Sequence, residues 1–301
     1  MNIFAPNYYN NFKCIADKCN HNCCIGWEID IDNKTAEYYR SISGEFGKRL
    51  ELSISCSDDC THFVLAHNDR CPFLNENNLC DIITTLGEDS LCDICTDHPR
   101  FRNFFSNHTE IGLGICCEAA GEIILSMQEK MKILPLSPCD VSVTDEESSF
   151  MSLRNNIFNI VQDRTFSLSE RLENLMFYIN SDINIADMAK WLSIYVDLER
   201  LDPQWNNTLS CLTMKSYVSE KWDTAFEQLL CYFIYRHLPD GIYDGMLSER
   251  INFCILSLSV IRHICGTYAE LNLSDIIEVS RQYSSEIEYS EENIEKILNV
   301  L

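Results

Sequence analysis

The chain has 301 residues, of which 46% are apolar, and its 46 acidic side chains against 23 Lys and Arg give a formal net charge of −23. This length accommodates one large or two modest domains, and the apolar fraction is typical of a folded protein, which excludes extensive disorder. The negative charge argues against nucleic acids and anionic membranes as partners, since both are bound through Lys and Arg, but it suits a lysine-rich partner.

The expected compartment follows from the N-terminus and the apolar segments. The first residues lack the basic and apolar regions of a signal peptide, and the most apolar segment, residues 251–264, is interrupted by polar side chains such as Asn252 and Arg262. We therefore expect a soluble protein of the cytoplasm. In that reducing compartment, 17 cysteines indicate metal binding or redox chemistry rather than disulfides.

The first 139 residues are predicted to be rich in loops. Residues 26–32 alternate apolar and acidic side chains, which predicts a short strand with one buried face. Helices are predicted over residues 35–50, 81–86 and 119–132, the second of them ended by Gly87. Because a loop-rich region of this size needs additional cross-links, we expect bound metal to stabilise it.

The second half is predicted to be helical. Pro135, Pro138 and the polar residues 144–149 mark a boundary, after which apolar residues recur at a helical period over 153–161 and 168–179. The segments 185–200, 217–237, 247–269, 274–283 and 290–300 show the same period. We therefore predict a mainly α fold, in which a loop-rich, cysteine-dense metal-cluster domain (residues 1–139) precedes an all-α bundle of six or seven helices (residues 140–301).

The cysteines are concentrated in the first half, where 12 of the 17 lie within the first 117 residues. One group is Cys14, Cys19, Cys23 and Cys24, and the other is Cys71, Cys80, Cys92, Cys95, Cys116 and Cys117. Thiolates spaced by a few residues and interleaved with glycine and proline are typical of a thiolate-bound ion or an iron–sulfur cluster. The four cysteines of the helical segments, Cys211, Cys231, Cys254 and Cys265, are predicted to be small core side chains.

The cysteine spacing leaves the kind of metal open. Zinc sites favour paired C-x2-C motifs, and only Cys92 and Cys95 have that spacing. The adjacent pair Cys23 and Cys24 is also awkward around one tetrahedral ion, because neighbouring side chains diverge. The Cys-x3-Cys-x2-Cys motif of radical adenosylmethionine enzymes is absent, since Gly26 stands at its third position.

Ordered landmarks over residues 8–127 resemble the flagellin lysine-N-methylase family. They are Phe12-Lys13-Cys14, Cys19, Cys23-Cys24, Gly26-Trp27, Ile29-Asp30, Asp32, Tyr38-Tyr39, Cys71-Pro72-Phe73-Leu74, Leu79-Cys80, Ile82, Leu86-Gly87, Leu91, Cys95, Pro99-Arg100, Cys116 and Glu118-Ala119-Ala120. The shorter part from Cys14 to Cys95 also resembles a zinc- or iron-chelating domain with CxxxCC and CPFL motifs. Residues 140–301 match the family in helical and acidic character more than in motifs.

The resemblance implies a methyltransferase that transfers methyl groups from S-adenosylmethionine to lysine side chains of flagellin and contains an iron–sulfur cluster, expected to be [4Fe-4S]. It implies that the metal ligands come from eight cysteines: Cys14, Cys19, Cys23, Cys24, Cys71, Cys80, Cys95 and Cys116. Four others, Cys56, Cys60, Cys92 and Cys117, occupy positions where the family has no cysteine, and we interpret them as incidental. They leave a second metal possible.

Catalytic groups are less clearly indicated. A lysine nitrogen must be neutral to attack the sulfonium methyl carbon, so a general base is expected, with Tyr38, Asp97 and Glu118 as candidates. Glu118 also suits the first turn of the helix predicted over 119–132, and Arg100 could bind the donor's carboxylate. No nucleotide-binding glycine motif identifies the adenosylmethionine site. The alternative function is a non-catalytic zinc- or iron-binding or redox-sensing module with a helical interaction domain.

Overall fold

The computed structural model describes residues 2–56, 60–137 and 144–301, and its contacts divide the chain into two compact units. One unit, here called the cysteine-rich unit, is Lys13–Pro99, and the other, here called the helical unit, combines Met1–Phe12 with Arg100–Leu301. The sequence placed the division at 139/140 instead. The difference arises because a strand in the first residues pairs with strands beyond residue 100. Pro138 and Cys139, at the predicted boundary, lie outside the described residues.

The elements follow one another along the chain from short helices and strands to long helices. In order they are β1 (Asn2–Pro6), α1 (Asn33–Ser41), α2 (Gly44–Ser53), β2 (Ile54–Cys56), β3 (Thr61–Phe63), α3 (Asp81–Leu86), α4 (Asp93–Asp97), β4 (Arg100–Phe104), β5 (His108–Leu113), α5 (Glu118–Ser126), β6 (Ile133–Pro135), α6 (Asp145–Val161), α7 (Leu168–Tyr178), α8 (Met188–Val196), α9 (Trp205–Ser210), α10 (Asp223–His237), α11 (Gly241–Asp244), α12 (Leu247–Cys265), α13 (Leu273–Tyr283) and α14 (Glu291–Leu298). The predicted mainly α class is confirmed.

The cysteine-rich unit has a small core of its own, formed by side chains such as Tyr39, Phe63 and Phe73. The helix predicted over 35–50 is two helices. The chain leaves the helical conformation at Ile42, and α2 begins only after a turn at Gly44, whose φ is +84°. The strand predicted over 26–32 forms only an isolated bridge between Asp30 and His62. The predicted buried face of this segment is nevertheless present, since Ile29 and Ile31 are buried.

The helical unit contains a four-stranded sheet that the sequence did not predict. The strand order is β4-β5-β1-β6, with β1 parallel to β5 and the other neighbours antiparallel. All six residues of β5 are buried, including His108 and Glu110, so its sequence shows no alternation of polar and apolar side chains. Gly112 faces the ring of Phe101 on β4, which a Cβ atom would approach to 2.2 Å.

Helices make up the remainder of this unit. Nine α-helices lie within residues 144–301, against the six or seven expected, and the additional ones, α9 and α11, are short. Capping boxes begin α6 at Thr144 and α7 at Ser167. The helix predicted over 119–132 ends earlier, at Ser126.

The core of the helical unit surrounds α10 and α12, which are buried on nearly every side. Cys231, Cys254 and Cys265 lie fully inside it, which confirms their interpretation as core side chains, while Cys211 is partly buried against it. Among residues 2–56, 60–137 and 144–301, no helix combines the length and apolar character needed to cross a bilayer.

Candidate metal centre

Five cysteines share the small core of the cysteine-rich unit. Cys71 and Cys92 are buried in it, and Cys24, Cys80 and Cys95 pack against it. The chain brings them together through short backbone contacts: the Cys71 amide donates to the Cys24 carbonyl at 2.8 Å, and Leu74 forms a bridge with Cys80. Four of the five belong to the ligands that the resemblance implies. The fifth, Cys92, had been interpreted as incidental.

Backbone N–H groups two or three residues further along the chain act to lower the pKa values of three of these cysteines. They are those of Phe73 and Leu74 for Cys71, those of Ile82 and Ile83 for Cys80, and that of Cys95 for Cys92. Such donors stabilise a thiolate, which is the form that binds metal. Burial opposes them, raising the pKa of Cys71 to about 11 and raising that of Cys80 as well.

Two pairs of thiols, Cys23 with Cys24 and Cys92 with Cys95, influence each other's ionisation. The thiol of Cys24 donates to the sulfur of Cys23, which lowers the pKa of Cys23 to about 7 and raises that of Cys24. The thiol of Cys95 donates in the same way to Cys92, so the pKa of Cys92 falls and that of Cys95 rises.

The donor chemistry of these residues fits a thiolate-bound metal, since clustered cysteine sulfurs suit zinc and iron–sulfur centres. In the part of the chain that the structure describes, however, no three Cys, His, Asp or Glu side chains have the arrangement that holds a metal ion. Metal binding would therefore require the paired thiols to turn and to exchange their mutual hydrogen bonds for metal bonds, with release of protons.

The remaining predicted ligands have other surroundings. Cys14 is exposed and accepts a hydrogen bond from the Ala16 amide at 3.4 Å, and the Cys19 thiol donates to the His21 carbonyl at 3.0 Å. Cys116 belongs to the helical unit. Its thiol donates to the Tyr289 hydroxyl at 3.0 Å, and burial raises its pKa to about 12.

Two of the candidate catalytic residues lie in the cysteine-rich unit. Tyr38 is 41% exposed, and its hydroxyl lies 3.4 Å from Oγ of Ser90. Its neighbour Tyr39 is buried and donates to the Ser90 carbonyl at 2.7 Å, so it has a structural role. Asp97 is the last residue of α4 and half-buried.

The other two candidates lie in the helical unit. Glu118 is the first residue of α5, where its charge suits the helix dipole, as the sequence predicted. Arg100 donates from Nε to the Tyr9 hydroxyl at 3.0 Å. Its guanidinium also lies over the rings of Tyr9 and Phe12, at 5.9 Å and 5.4 Å from their centroids.

A buried polar network in the helical unit was not anticipated. The carboxylate of Glu288, at the end of a π-helical turn over Ser284–Glu288, accepts hydrogen bonds from the Tyr232 hydroxyl at 2.9 Å and pairs with His237 Nε2 at 2.6 Å. Arg236 Nε lies 3.3 Å from the same carboxylate. Burial alone would raise the pKa of Glu288, but Arg236 and His237 lower it to about 2. The four-residue spacing of Tyr232 and Arg236, which places both on one face of α10, was the available signal.

Comparison with known proteins adds a finding on the helical unit. The family described as FliB lysine N-methylase C-terminal domain matches residues 184–301. This segment lies where the sequence showed helical and acidic character without motifs, and it contains Tyr232, Arg236, His237 and Glu288.

Individual relatives agree with that match. The flagellar biosynthetic protein FliU of Salmonella muenchen is 24% identical over 139 residues, which cover 44% of this chain and 82% of that protein. Proteins named lysine-N-methylase from Salmonella choleraesuis and Salmonella typhimurium are each 24% identical over 147 residues, covering 44% of this chain. The matched segment spans only 35% of each of those two proteins. No solved structure matches the chain. Over part of its length the chain is therefore similar to the lysine-N-methylases, the family that its N-terminal motifs resemble.

Proposed function

We propose that this chain is a protein-lysine N-methyltransferase that acts on flagellin in the cytoplasm, with S-adenosylmethionine as donor and an iron–sulfur cluster in the cysteine-rich unit. The observation that carries the proposal is the match of residues 184–301 to the FliB lysine N-methylase C-terminal domain. Two further observations support it: two relatives are named lysine-N-methylase, and the N-terminal landmarks resemble the same family.

The proposed reaction needs a neutral lysine amine. Its lone pair attacks the methyl carbon of the sulfonium, the carbon–sulfur bond breaks, adenosylhomocysteine leaves, and the alkylated nitrogen loses a proton to a base. Tyr38 is a candidate for that base because its hydroxyl is accessible. Asp97 is the second candidate. Glu118, the first residue of α5, is the third candidate.

The metal is assigned to the cysteine-rich unit on the chemistry of its thiols. Of the eight cysteines that the resemblance implies, Cys24, Cys71, Cys80 and Cys95 share one small core. A bound iron–sulfur cluster would supply one-electron chemistry and cross-link the surrounding loops. Zinc is the alternative occupant, and it would supply only the cross-link.

The charge of the chain agrees with the proposed substrate. A formal charge of −23 attracts a lysine-bearing protein and raises the rate of encounter at low ionic strength. The helical unit carries many of these carboxylates, and some of them lie exposed at helix starts, such as Glu291 and Glu292. We propose that such exposed acidic residues contribute to flagellin capture.

Anaerobic isolation followed by methylation of flagellin tests the proposal in two steps. We expect a brown protein with iron and sulfide in equal amounts, binding of S-adenosylmethionine by calorimetry, and lysine-methylated flagellin by peptide mass spectrometry. Tyr38→Phe and Asp97→Asn should slow methylation without loss of iron if either is the base, and Tyr39→Phe is the matched control for Tyr38→Phe.

The outcomes separate the two functions considered. A colourless chain with stoichiometric zinc and no adenosylmethionine binding would contradict the methyltransferase proposal and support the metal-binding module. An iron-loaded chain that binds adenosylmethionine but leaves flagellin unmodified would contradict the substrate and retain the enzyme class.

A further inference from the structure

The helical unit brings together two parts of the chain that separately resemble lysine-N-methylases. Cys116 belongs to the landmarks of the first half, and Tyr289 belongs to the segment that the family match covers. The Cys116 thiol donates to the Tyr289 hydroxyl at 3.0 Å, in an exposed position. One residue earlier, the Ile115 amide donates to the Tyr232 hydroxyl at 3.2 Å. The two similarities therefore meet in the fold just before α5.

Tyr289 combines an exposed side chain with a buried support. The residue is 50% exposed, and its ring lies 5.2 Å from the Arg236 guanidinium, which also lies 5.0 Å from the ring of Phe101. Arg236 is fixed in turn, because it donates to the Tyr232 hydroxyl at 2.9 Å and its Nε lies 3.3 Å from the Glu288 carboxylate. This support holds the Tyr289 hydroxyl in a defined position at the surface.

The hydroxyl of Tyr289 has room for a further hydrogen bond. A phenolic oxygen both donates and accepts. Within residues 2–56, 60–137 and 144–301, its one hydrogen bond is the one that it accepts from Cys116. A second acceptor position on the oxygen is therefore left for a bound group.

The surface that follows Tyr289 along the chain is acidic. Glu291 and Glu292 begin α14 two and three residues later, and both are exposed. Glu292 pairs with Lys296, whereas Glu291 has no such pair among the described residues. Carboxylates at this position attract a cationic side chain, such as a lysine of a protein substrate, toward the Tyr289 hydroxyl.

We propose that Tyr289 is a substrate-contacting residue whose hydroxyl accepts a hydrogen bond from the amine of the substrate lysine. This inference rests on the proposed methyltransferase function. The hydrogen bond directs the nitrogen lone pair toward the sulfonium methyl carbon, and such orientation lowers the barrier to reaction. The nitrogen–carbon bond forms as the carbon–sulfur bond breaks, and the proton of the alkylated nitrogen leaves to the base. Arg236 and Glu288 act through Tyr289, as positioning residues.

Steady-state methylation of flagellin by matched variants tests this role. Tyr289→Phe keeps the ring beside Arg236 and removes only the hydroxyl. We expect it to lower kcat by roughly 10- to 100-fold, with the KM for S-adenosylmethionine and the thermal unfolding temperature unchanged. The control Tyr217→Phe removes the hydroxyl of a tyrosine that is 81% exposed in the same unit, and it should match the wild type.

The measurements separate a role in the reaction from a role in packing. A wild-type kcat in Tyr289→Phe would overturn the inference. A lower kcat that comes with a lower unfolding temperature and a raised KM for S-adenosylmethionine would also overturn it, because the hydroxyl would then support the fold. A wild-type chain that leaves flagellin unmodified would contradict the proposed function itself, and this inference with it.

Discussion

Glu288→Gln should destabilise the helical unit by about 3 kcal/mol at neutral pH. The carboxylate is fully buried and contacts Tyr232, Arg236 and His237. Its pKa is about 2 instead of 4.5, and since a tenfold change in proton affinity corresponds to about 1.4 kcal/mol, the ionised form is stabilised by roughly 3 kcal/mol. Breaking a buried ion pair by removing one partner costs a similar amount, about 3–5 kcal/mol.

The same carboxylate makes the effect depend on pH in a defined direction. Because the folded-state pKa lies below the ordinary value, the stabilisation is complete above about pH 5 and is lost as the pH falls toward 2. Thermal unfolding at a series of pH values should therefore show a large difference between wild type and Glu288→Gln at pH 7 and less than half of that difference near pH 3.

The control for this prediction is Glu292→Gln, which removes an exposed carboxylate paired with Lys296 four residues along α14. Its cost should stay below about 0.5 kcal/mol at every pH. Equal, small losses in both variants at pH 7, or a loss in Glu288→Gln that persists unchanged at pH 3, would refute the reasoning.

Three further outcomes are expected. Glu227→Gln should lower the free energy of unfolding by about 3–5 kcal/mol in urea titrations, because it leaves the buried Arg171 without the carboxylate that it contacts at 2.6 Å; a loss below about 1 kcal/mol would contradict this. Gly112→Ala should cost about 1–3 kcal/mol, since its Cβ would lie 2.2 Å from the Phe101 ring, and the cost should shrink when Phe101 is also replaced by Ala; an equal cost in both backgrounds would exclude the clash as its cause. Removing bound metal with a chelator should accelerate proteolytic cleavage within residues 13–99, and unchanged cleavage kinetics there would argue against a stabilising metal.

The sequence predicted the helices well because each is a local pattern. The apolar period over residues 153–161 and 168–179 depends only on near neighbours, and α6 and α7 lie where this period predicts helices. The sheet depends on pairing between residues about one hundred positions apart, as between Ile3 and Thr109, and no local signal reports that. Its central strand β5 buries polar residues, which conceals the usual strand pattern.

The metal site stays a prediction. Of the eight cysteines that the family resemblance implies as ligands, four, Cys24, Cys71, Cys80 and Cys95, share one core, and Cys92 shares that core with them. The Glu288 network joins residues about fifty positions apart, and only the fold brings them together.

The pairing of β1 with β5 and β6 has a consequence for the order of synthesis. Residues 2–6 leave the ribosome before the strands that flank them, which become available only after residues 108–113 and 133–135 have been made. Residues 13–99 are synthesised in between, so the cysteine-rich unit can fold before β1 pairs with β5 and β6. Because residues 2–6 supply an inner strand of the sheet, a fragment limited to residues 184–301 would lack part of the core against which its helices fold.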